Sequence, residues 1–437
     1  MLRRTTLALL IGLLAAAHSS ADEPKAWAEG NLADLVSLYR HFHQHPELSF
    51  QEKETAARLA DELEKAGYRV TRNVGGHGVV GLLKHGDGPT LMLRTDLDAL
   101  PVVEQTGLVY SSQVRAKDDA GNDVGVMHAC GHDLHMTNLI GTARYLAENK
   151  DRWRGTLLLV GQPAEERGKG ARAMLADGLF EKFPKPDFAL ALHVDAAAAV
   201  GQVGCRAGYA LANVDSVDIT IKGKGGHGAY PHATIDPIVI AARFVLDLQT
   251  IVSREVKPTD PAVVTVGSIH AGTKHNVIPD ACQLQLTVRS YSPEVRKQLL
   301  AAIQRKAKAA AASAAAPEPV VTVSDEGTPA LFNDEELVGR LIPVFERAVG
   351  KENVVLAEQS MGGEDFSHYG LAGVPIFMLR LGTIDPQRLA GFARFVQQPP
   401  SLHSPLYYPD AEPSLVTGIT AMSAAALDLL APKSLEK

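Results

Sequence analysis

Gly155-Thr-Leu-Leu-Leu-Val-Gly-Gln-Pro-Ala-Glu-Glu166 is the stretch whose reading decides the fold. Residues 155–162 read as a strand, and two adjacent carboxylates follow it. A helix over 171–176 and a strand over 188–193 come next. Upstream, a helix over 31–43 and a second one, opened by the capping-box match Ser49-Phe-Gln-Glu52 and ending at Gly67, precede short apolar runs at 79–83 and 91–95. Thr137–Ala147 reads as another helix. This alternation predicts an α/β domain with a largely parallel or mixed sheet covered by helices. Ligands of such sheets bind beyond the carboxyl ends of the strands. Asp96 and Asp98 follow strand 91–95, Glu165 and Glu166 follow strand 156–162, and His193 closes strand 188–193. Three separated groups therefore fall on one sheet edge.

The rhythm then changes. Strands at 215–222, 262–269, 283–291 and 320–324 alternate with helices at 236–253 and 293–315, the last rich in alanine, the best helix former. The order β-α-β-β-α-β is that of a ferredoxin-like unit. After residue 327 the mixed pattern returns, with a helix over 334–348, strands over 353–357 and 375–381, and a helix over 413–430. The second domain is thus read as an insertion. The expected division is a signal peptide at 1–21, a first domain split into 22–208 and 327–437, and the inserted domain at 209–326. A chain of 437 residues is long for one domain, which agrees.

Arg3 and Arg4, an apolar run from Leu7 to Ala17 and then Ser19-Ser20-Ala21 have the layout of a secretory signal. The apolar run is short of the roughly 20 residues needed to span a bilayer. The mature protein is therefore expected to be secreted or periplasmic, with no membrane span. Cleavage after Ala21 would take the formal charge from −7 to −9, which argues against a nucleic-acid partner. Apolar residues at 46% and charged residues at 21% fit a soluble globular chain. Its 3 cysteines are an odd count. If Cys130 holds metal, Cys205 and Cys282 either pair or are both buried thiols.

Met127-His-Ala-Cys-Gly-His-Asp-Leu-His-Met-Thr137 concentrates potential ligands. A lone Cys-x-His pair is more often a buried cysteine beside a hydrogen-bonded core histidine. Here Glu166 and His193 at strand ends shift the balance towards a metal site built from Cys130, His132, Glu166 and His193. Thiolate, imidazole and carboxylate together suit zinc, manganese, cobalt or nickel and not calcium. A fifth ligand would favour two metals, and His403 in Ser-Leu-His-Ser-Pro is the candidate. In this arrangement Glu166 coordinates while Glu165 takes a proton from a metal-activated water and passes it to the leaving amine. Asp133 and His135 read as helix-start or supporting residues, and His128 as a packing residue. Gly225-Gly226-His227-Gly228 reads first as a turn. It lacks the Gly-Lys-Ser/Thr ending of a phosphate loop, so nucleotide binding is rejected. His227 could donate to an oxyanion.

His41-Phe-His-Gln-His-Pro-Glu47, Arg94-Thr-Asp-Leu-Asp-Ala-Leu-Pro101, Met127–Thr137, Gln162-Pro-Ala-Glu-Glu166, Gly223–His232, Asn276-Val-Ile-Pro-Asp280, Gly363-Glu-Asp-Phe366 and the His403 loop occur in that order. Together they resemble the di-metal amidohydrolases that include hippurate hydrolase, auxin-conjugate hydrolases and N-acyl-amino-acid hydrolases, relatives of the aminoacylase and carboxypeptidase G group. The resemblance spans nearly the whole mature chain. It implies a catalytic domain of zinc-exopeptidase type with an inserted lid that also forms a homodimer, and two divalent metal ions. Cys130, His132, Glu166, His193 and His403 would be the metal ligands and Glu165 the base. His227 would stabilise the transition state, by way of the dimer. Asn276, Arg289 and Gly362 would contact substrate, and Asp98 would orient a ligand. The chain departs from the pattern at Ser404, where asparagine is common, at Gly228, where alanine is common, and in the longer run 385–401. These departures bear on the acyl pocket rather than on the metal site.

The resulting expectation is metal-dependent hydrolysis of N-acyl amino acids of the hippurate kind. The alternative is a secreted metallo-dipeptidase or carboxypeptidase acting on peptides. A non-catalytic binding protein is disfavoured, because a binder has no use for a base such as Glu165.

Overall fold

The computed structural model describes residues 23–325 and 327–432. The signal-peptide reading lies outside them. No helix among the described residues is long and apolar enough to cross a membrane.

A mixed eight-stranded sheet forms the larger domain. Its order is Arg69–Val74, Gly78–His85, Gly155–Gln162, Thr90–Asp96, Phe188–Ala199, Ile376–Ile384, Val203–Cys205 and Val354–Leu356. Gly155–Gln162, Thr90–Asp96, Phe188–Ala199 and Ile376–Ile384 run parallel to one another at its centre. All eight residues of Gly155–Gln162 are buried. Burial on both faces demands a continuous apolar run, which Thr-Leu-Leu-Leu-Val supplies. Helices Leu32–Gln44, His132–Glu148 and Ala411–Leu429 pack together over one face around Leu93, Leu139, Leu159 and Ile419. Gly170–Ala176 and Ser367–Leu371 cover the other around Val160, Met174 and Phe366.

The inserted domain is an antiparallel sheet in the order Ala262–His270, Ala281–Ser290, Asn213–Lys222 and Val320–Val323. Helices Pro237–Thr250 and Pro293–Ser313 lie on one face, over Ile219, Phe244, Leu286 and Leu299. Burial alternates along Asn213–Lys222 and Ala281–Ser290, as a one-sided sheet requires. Asp236 and Ser292 cap the two helices by accepting from the amides of Ile238 and Val295, each with proline at the first helical position. The ferredoxin-like β-α-β-β-α-β order holds.

Several details differ from the sequence reading. Ser49 caps no helix: its hydroxyl donates to Asp98 Oδ2 at 2.6 Å. The helix Lys53–Lys65 is capped instead from a distance by Glu47, which accepts from the amides of Glu54 and Thr55. Glu52 turns inward and accepts from the Ala164 amide at 2.8 Å. The helix over 236–253 ends at Thr250 in one wider turn, Ile251–Glu255. Run 385–401 contains a helix, Pro386–Arg394, capped by Asp385. Helix Glu23–Gly30 and the polar edge strand Arg69–Val74 carried no clear apolar period and were not anticipated. Cys205 and Cys282 are free, buried thiols in different cores.

Candidate active site

One strand end, one position inside a strand, one helix start and one loop converge, and the strand expected to close at His193 runs on to Ala199, which leaves His193 internal to it. His132 opens helix His132–Glu148, with Cys130 just before it. Glu165 and Glu166 begin the turn after Gly155–Gln162. His193 lies within Phe188–Ala199, and the loop carrying His403 is held by its amide, which donates to the Ala129 carbonyl at 2.9 Å.

The five candidate ligands come together. The potential ligand atoms of Cys130, His132 and His193 all lie within 4.8 Å of one another, as do those of Cys130, Glu166 and His403. The two groups share Cys130. His132 Nδ1 is 2.7 Å from the Asp98 carbonyl, and His193 Nδ1 is 2.8 Å from that of Val194. Each ring thereby gives its N–H to the backbone and leaves an Nε2 lone pair facing the centre, the tautomer a metal needs. His193 Nε2 lies 3.6 Å from Cys130 Sγ. His403 Nε2 lies 3.5 Å from Glu166 Oε2. His132 Nε2 and Glu166 Oε1, 3.8 Å apart, are both buried without a hydrogen-bond partner. Buried orphans of this kind are rare, and a divalent cation between them would satisfy both.

Electrostatics agree. Burial, then Glu166, pushes the Cys130 thiol well above its ordinary range. Burial raises Glu166 to about 8. Burial, then the neighbouring Glu364, Glu166 and Asp365, raises Glu165 well above the carboxylate range. A divalent cation reverses each effect by favouring the ionised forms.

Four further acidic residues have other employment. His135 Nδ1 is 2.7 Å from Asp96 Oδ1, and its Nε2 accepts from the Val194 amide, so neither ring nitrogen is spare. Glu364 and Asp365 are held by Arg94, at 2.9 and 3.2 Å. Asp98 accepts from Ser49 and from the Glu166 amide at 3.0 Å while its carbonyl holds His132, so one residue fixes two of the candidate ligands.

Glu165, Glu166, Cys130, His193 and His403 line a cleft of about 640 Å³ between the two sheets. Arg289 and Gly362 line it too, and Arg289 donates to the Met361 carbonyl at 2.6 Å. His227 and Asn276 do not. They sit side by side on the inserted domain, both exposed, with the Gly228 amide donating to the Asn276 carbonyl. Arg94 and Arg380 were missed as site residues. A charged residue inside an otherwise apolar strand is the signal that could have found either.

Gly131 separates Cys130 from His132 at φ +79°, and a Cβ there would stand 2.7 Å from Val194 Cγ2. Gly131→Ala should cost about 1–2 kcal/mol from the left-handed backbone alone. It should also spread the two ligands. A lower thermal midpoint together with lower metal retention after dialysis is expected, and no change in either would refute the account.

His43 is buried between Asp133 at 2.7 Å and Glu104 at 3.1 Å. Burial alone would lower its pKa, but the two carboxylates prevail and lift it to about 9. Its folded pKa thus exceeds the unfolded value near 6.5. The stabilisation is complete below about pH 6.5 and lost as pH rises towards 9, roughly 3 kcal/mol in all. Unfolding free energies measured across that window should fall in the wild type, and His43→Gln should flatten the slope.

A mixed sheet whose strand ends gather thiol, imidazole and carboxylate donors in a cleft defines a metallohydrolase of the zinc-exopeptidase class. The chain belongs to peptidase family M20/M25/M40, whose model matches residues 92–391. It is 39% identical over 336 residues to N-acetyl-L-cysteine deacetylase of Bacillus subtilis (strain 168), covering 77% of each chain. It is 34% identical over 375 residues to the IAA-amino acid hydrolase ILR1-like 2 of Arabidopsis thaliana, covering 85% of this chain and 80% of that one. The crystal structure of the Bacillus subtilis YXEP protein, described as a dinuclear metal binding peptidase from the M20 family, superposes with a TM-score of 0.74 at 31% identity. It covers 92% of this chain and 99% of that one.

Proposed function

We propose that this protein hydrolyses the amide bond of N-acyl amino acids with two divalent metal ions held by Cys130, His132, Glu166, His193 and His403. The observation that carries the reading is the division between adjacent carboxylates. Both line the cleft and approach His132, but Glu166 alone also reaches His403, at 3.5 Å, whereas the Glu165 carboxylate lies 4.0 Å from His132 and accepts no hydrogen bond from the described residues. When bound, the ions polarise the scissile carbonyl and acidify water. Glu165 takes the proton from the attacking water and delivers it to the leaving nitrogen. Arg289 faces the substrate carboxylate, and the backbone at Gly362 borders the same cleft. His227 and Asn276, exposed on the inserted domain, would serve the cleft of a second copy. Ile238, Val239 and Leu246, exposed along Pro237–Thr250, support a homodimer through that domain.

Chelation followed by reconstitution with zinc, manganese, cobalt or nickel, assayed on a panel of N-acyl amino acids including hippurate, tests the reading. Metal-restored cleavage is expected. No turnover of any member with any metal would overturn it. The peptidase description of the YXEP structure favours a second reading, cleavage of peptides. That reading loses if free-amine dipeptides are cut no better than N-acyl amino acids.

A further inference from the structure

Arg380 is the one charged residue in strand Ile376–Ile384, and every other residue of that strand is buried. It pairs in parallel register with His193 and lines the same cleft. Among the described residues no hydrogen bond or ion pair to its guanidinium occurs, although it is half-buried. Its other neighbour in the sheet is Gly204. A Cβ at Gly204 would stand 3.0 Å from the Arg380 Cβ and 3.1 Å from that of Ala357. The glycine therefore leaves room for the arginine stem.

The cleft holds two further arginines. Arg167 is engaged by Asp119. Arg289 is held only by neutral acceptors, the Met361 carbonyl and the Thr287 hydroxyl at 3.3 Å. Two guanidiniums, one from each sheet, thus face one cleft with no carboxylate of the protein on either. A partly desolvated arginine without a carboxylate partner is a ready site for an anion, and guanidinium is suited to carboxylate.

We propose that Arg380 selects substrates carrying a second carboxylate besides the α-carboxylate assigned to Arg289. These are N-acyl amino acids in which either the acyl group or the amino-acid side chain is acidic. The inference rests on the amidohydrolase reading above. It gives the unpaired arginine a partner that hippurate, with its single carboxylate, does not supply.

The test uses metal-loaded wild type, Arg380→Met and Arg380→Lys on two matched pairs. N-succinyl-alanine against N-butyryl-alanine probes an acidic acyl group. N-acetyl-glutamate against N-acetyl-glutamine probes an acidic side chain. In one pair the wild type should prefer the acid, and Arg380→Met should cut the acid-to-neutral ratio of kcat/KM by about 10- to 100-fold. Arg380→Lys should retain part of the preference. Ratios that move less than about twofold in both pairs would overturn the proposal. If none of the four compounds is cleaved, calorimetric titration decides Arg380, and the amidohydrolase reading fails only if the wider N-acyl amino acid panel is not cleaved either. Succinate or glutamate binding weakened tenfold or more by Arg380→Met, with butyrate and glutamine as controls, sustains it. Equal binding in wild type and variant overturns it. Arg380→Gln replaces the methionine variant if that chain does not fold.

Discussion

Glu165→Gln should lower kcat by about 10²- to 10⁴-fold, the range a positioned proton-transfer group contributes, while the bound metal stays at the wild-type level. The change is isosteric, so no cavity forms. The candidate ligands Cys130, His132, Glu166, His193 and His403 are untouched. The amide cannot take a proton from water, and KM should change far less than kcat, because the lost interaction belongs to the transition state. A further consequence separates this outcome from simple damage. Glu165 is buried beside Glu364, Glu166 and Asp365, and that repulsion contributes to its raised pKa. Replacing it by a neutral amide relieves the repulsion, so the metal-free variant should unfold at the same temperature as wild type or higher. Reduced activity with reduced metal or a lower midpoint would point to a structural lesion. Full activity with full metal would remove Glu165 from the mechanism.

The parts of this site that were legible in the sequence share a physical reason. Strand Gly155–Gln162 is buried on both faces, so its apolar run is continuous and the first polar residues after it mark the sheet edge, and Thr90–Asp96 is buried to its end although Arg94 and Asp96 interrupt its apolar run. That reasoning alone places Asp98, Glu165 and Glu166. His403 gave no such signal. Its segment is irregular and its backbone sits at φ +68°, so by itself it reads as a surface loop histidine and enters only as the fifth ligand that a two-metal site would need. The Ser49–Glu52 match misled because a capping pattern states which bonds are possible, not which partners tertiary packing supplies. Here Asp98 and Ala164 outcompete the helix end. His227 and Asn276 show a different limit, since motif matching does not say whether a loop reaches the cleft of its own copy, and both stand exposed on the inserted domain away from it. Arg94 was quoted within a family motif yet given no role, because its partners Glu364 and Asp365 lie 270 and 271 residues further along the chain.

Arg94→Met should destabilise the protein by about 3–5 kcal/mol, the usual cost of deleting one partner of a buried ion cluster. The guanidinium is fully buried and donates to Asp96 at 2.8 Å, Glu364 at 2.9 Å, Asp365 at 3.2 Å and Gln162 at 3.1 Å. Methionine fills most of the volume, so the loss is electrostatic: three carboxylates remain buried with no guanidinium among them. Against a typical total of about 5–15 kcal/mol, such a loss brings the fold close to unfolding. Asp365 shows the direction of the pH effect. Burial already raises it to about 7 even with Arg94 opposing the rise. Without Arg94 the folded-state pKa climbs further above the unfolded value. The penalty is therefore full at high pH and relieved as pH falls and the cluster takes up protons. Urea unfolding at pH 8 and pH 5 should show the gap between wild type and variant narrowing at the lower pH. Adding Glu364→Gln and Asp365→Asn to Arg94→Met should recover part of the loss, because the stranded charges are then removed. Arg94→Met within about 1 kcal/mol of wild type at pH 8 would mean the cluster is not held by its arginine. The ties from strand end Thr90–Asp96 to segment 363–366 would then need another source.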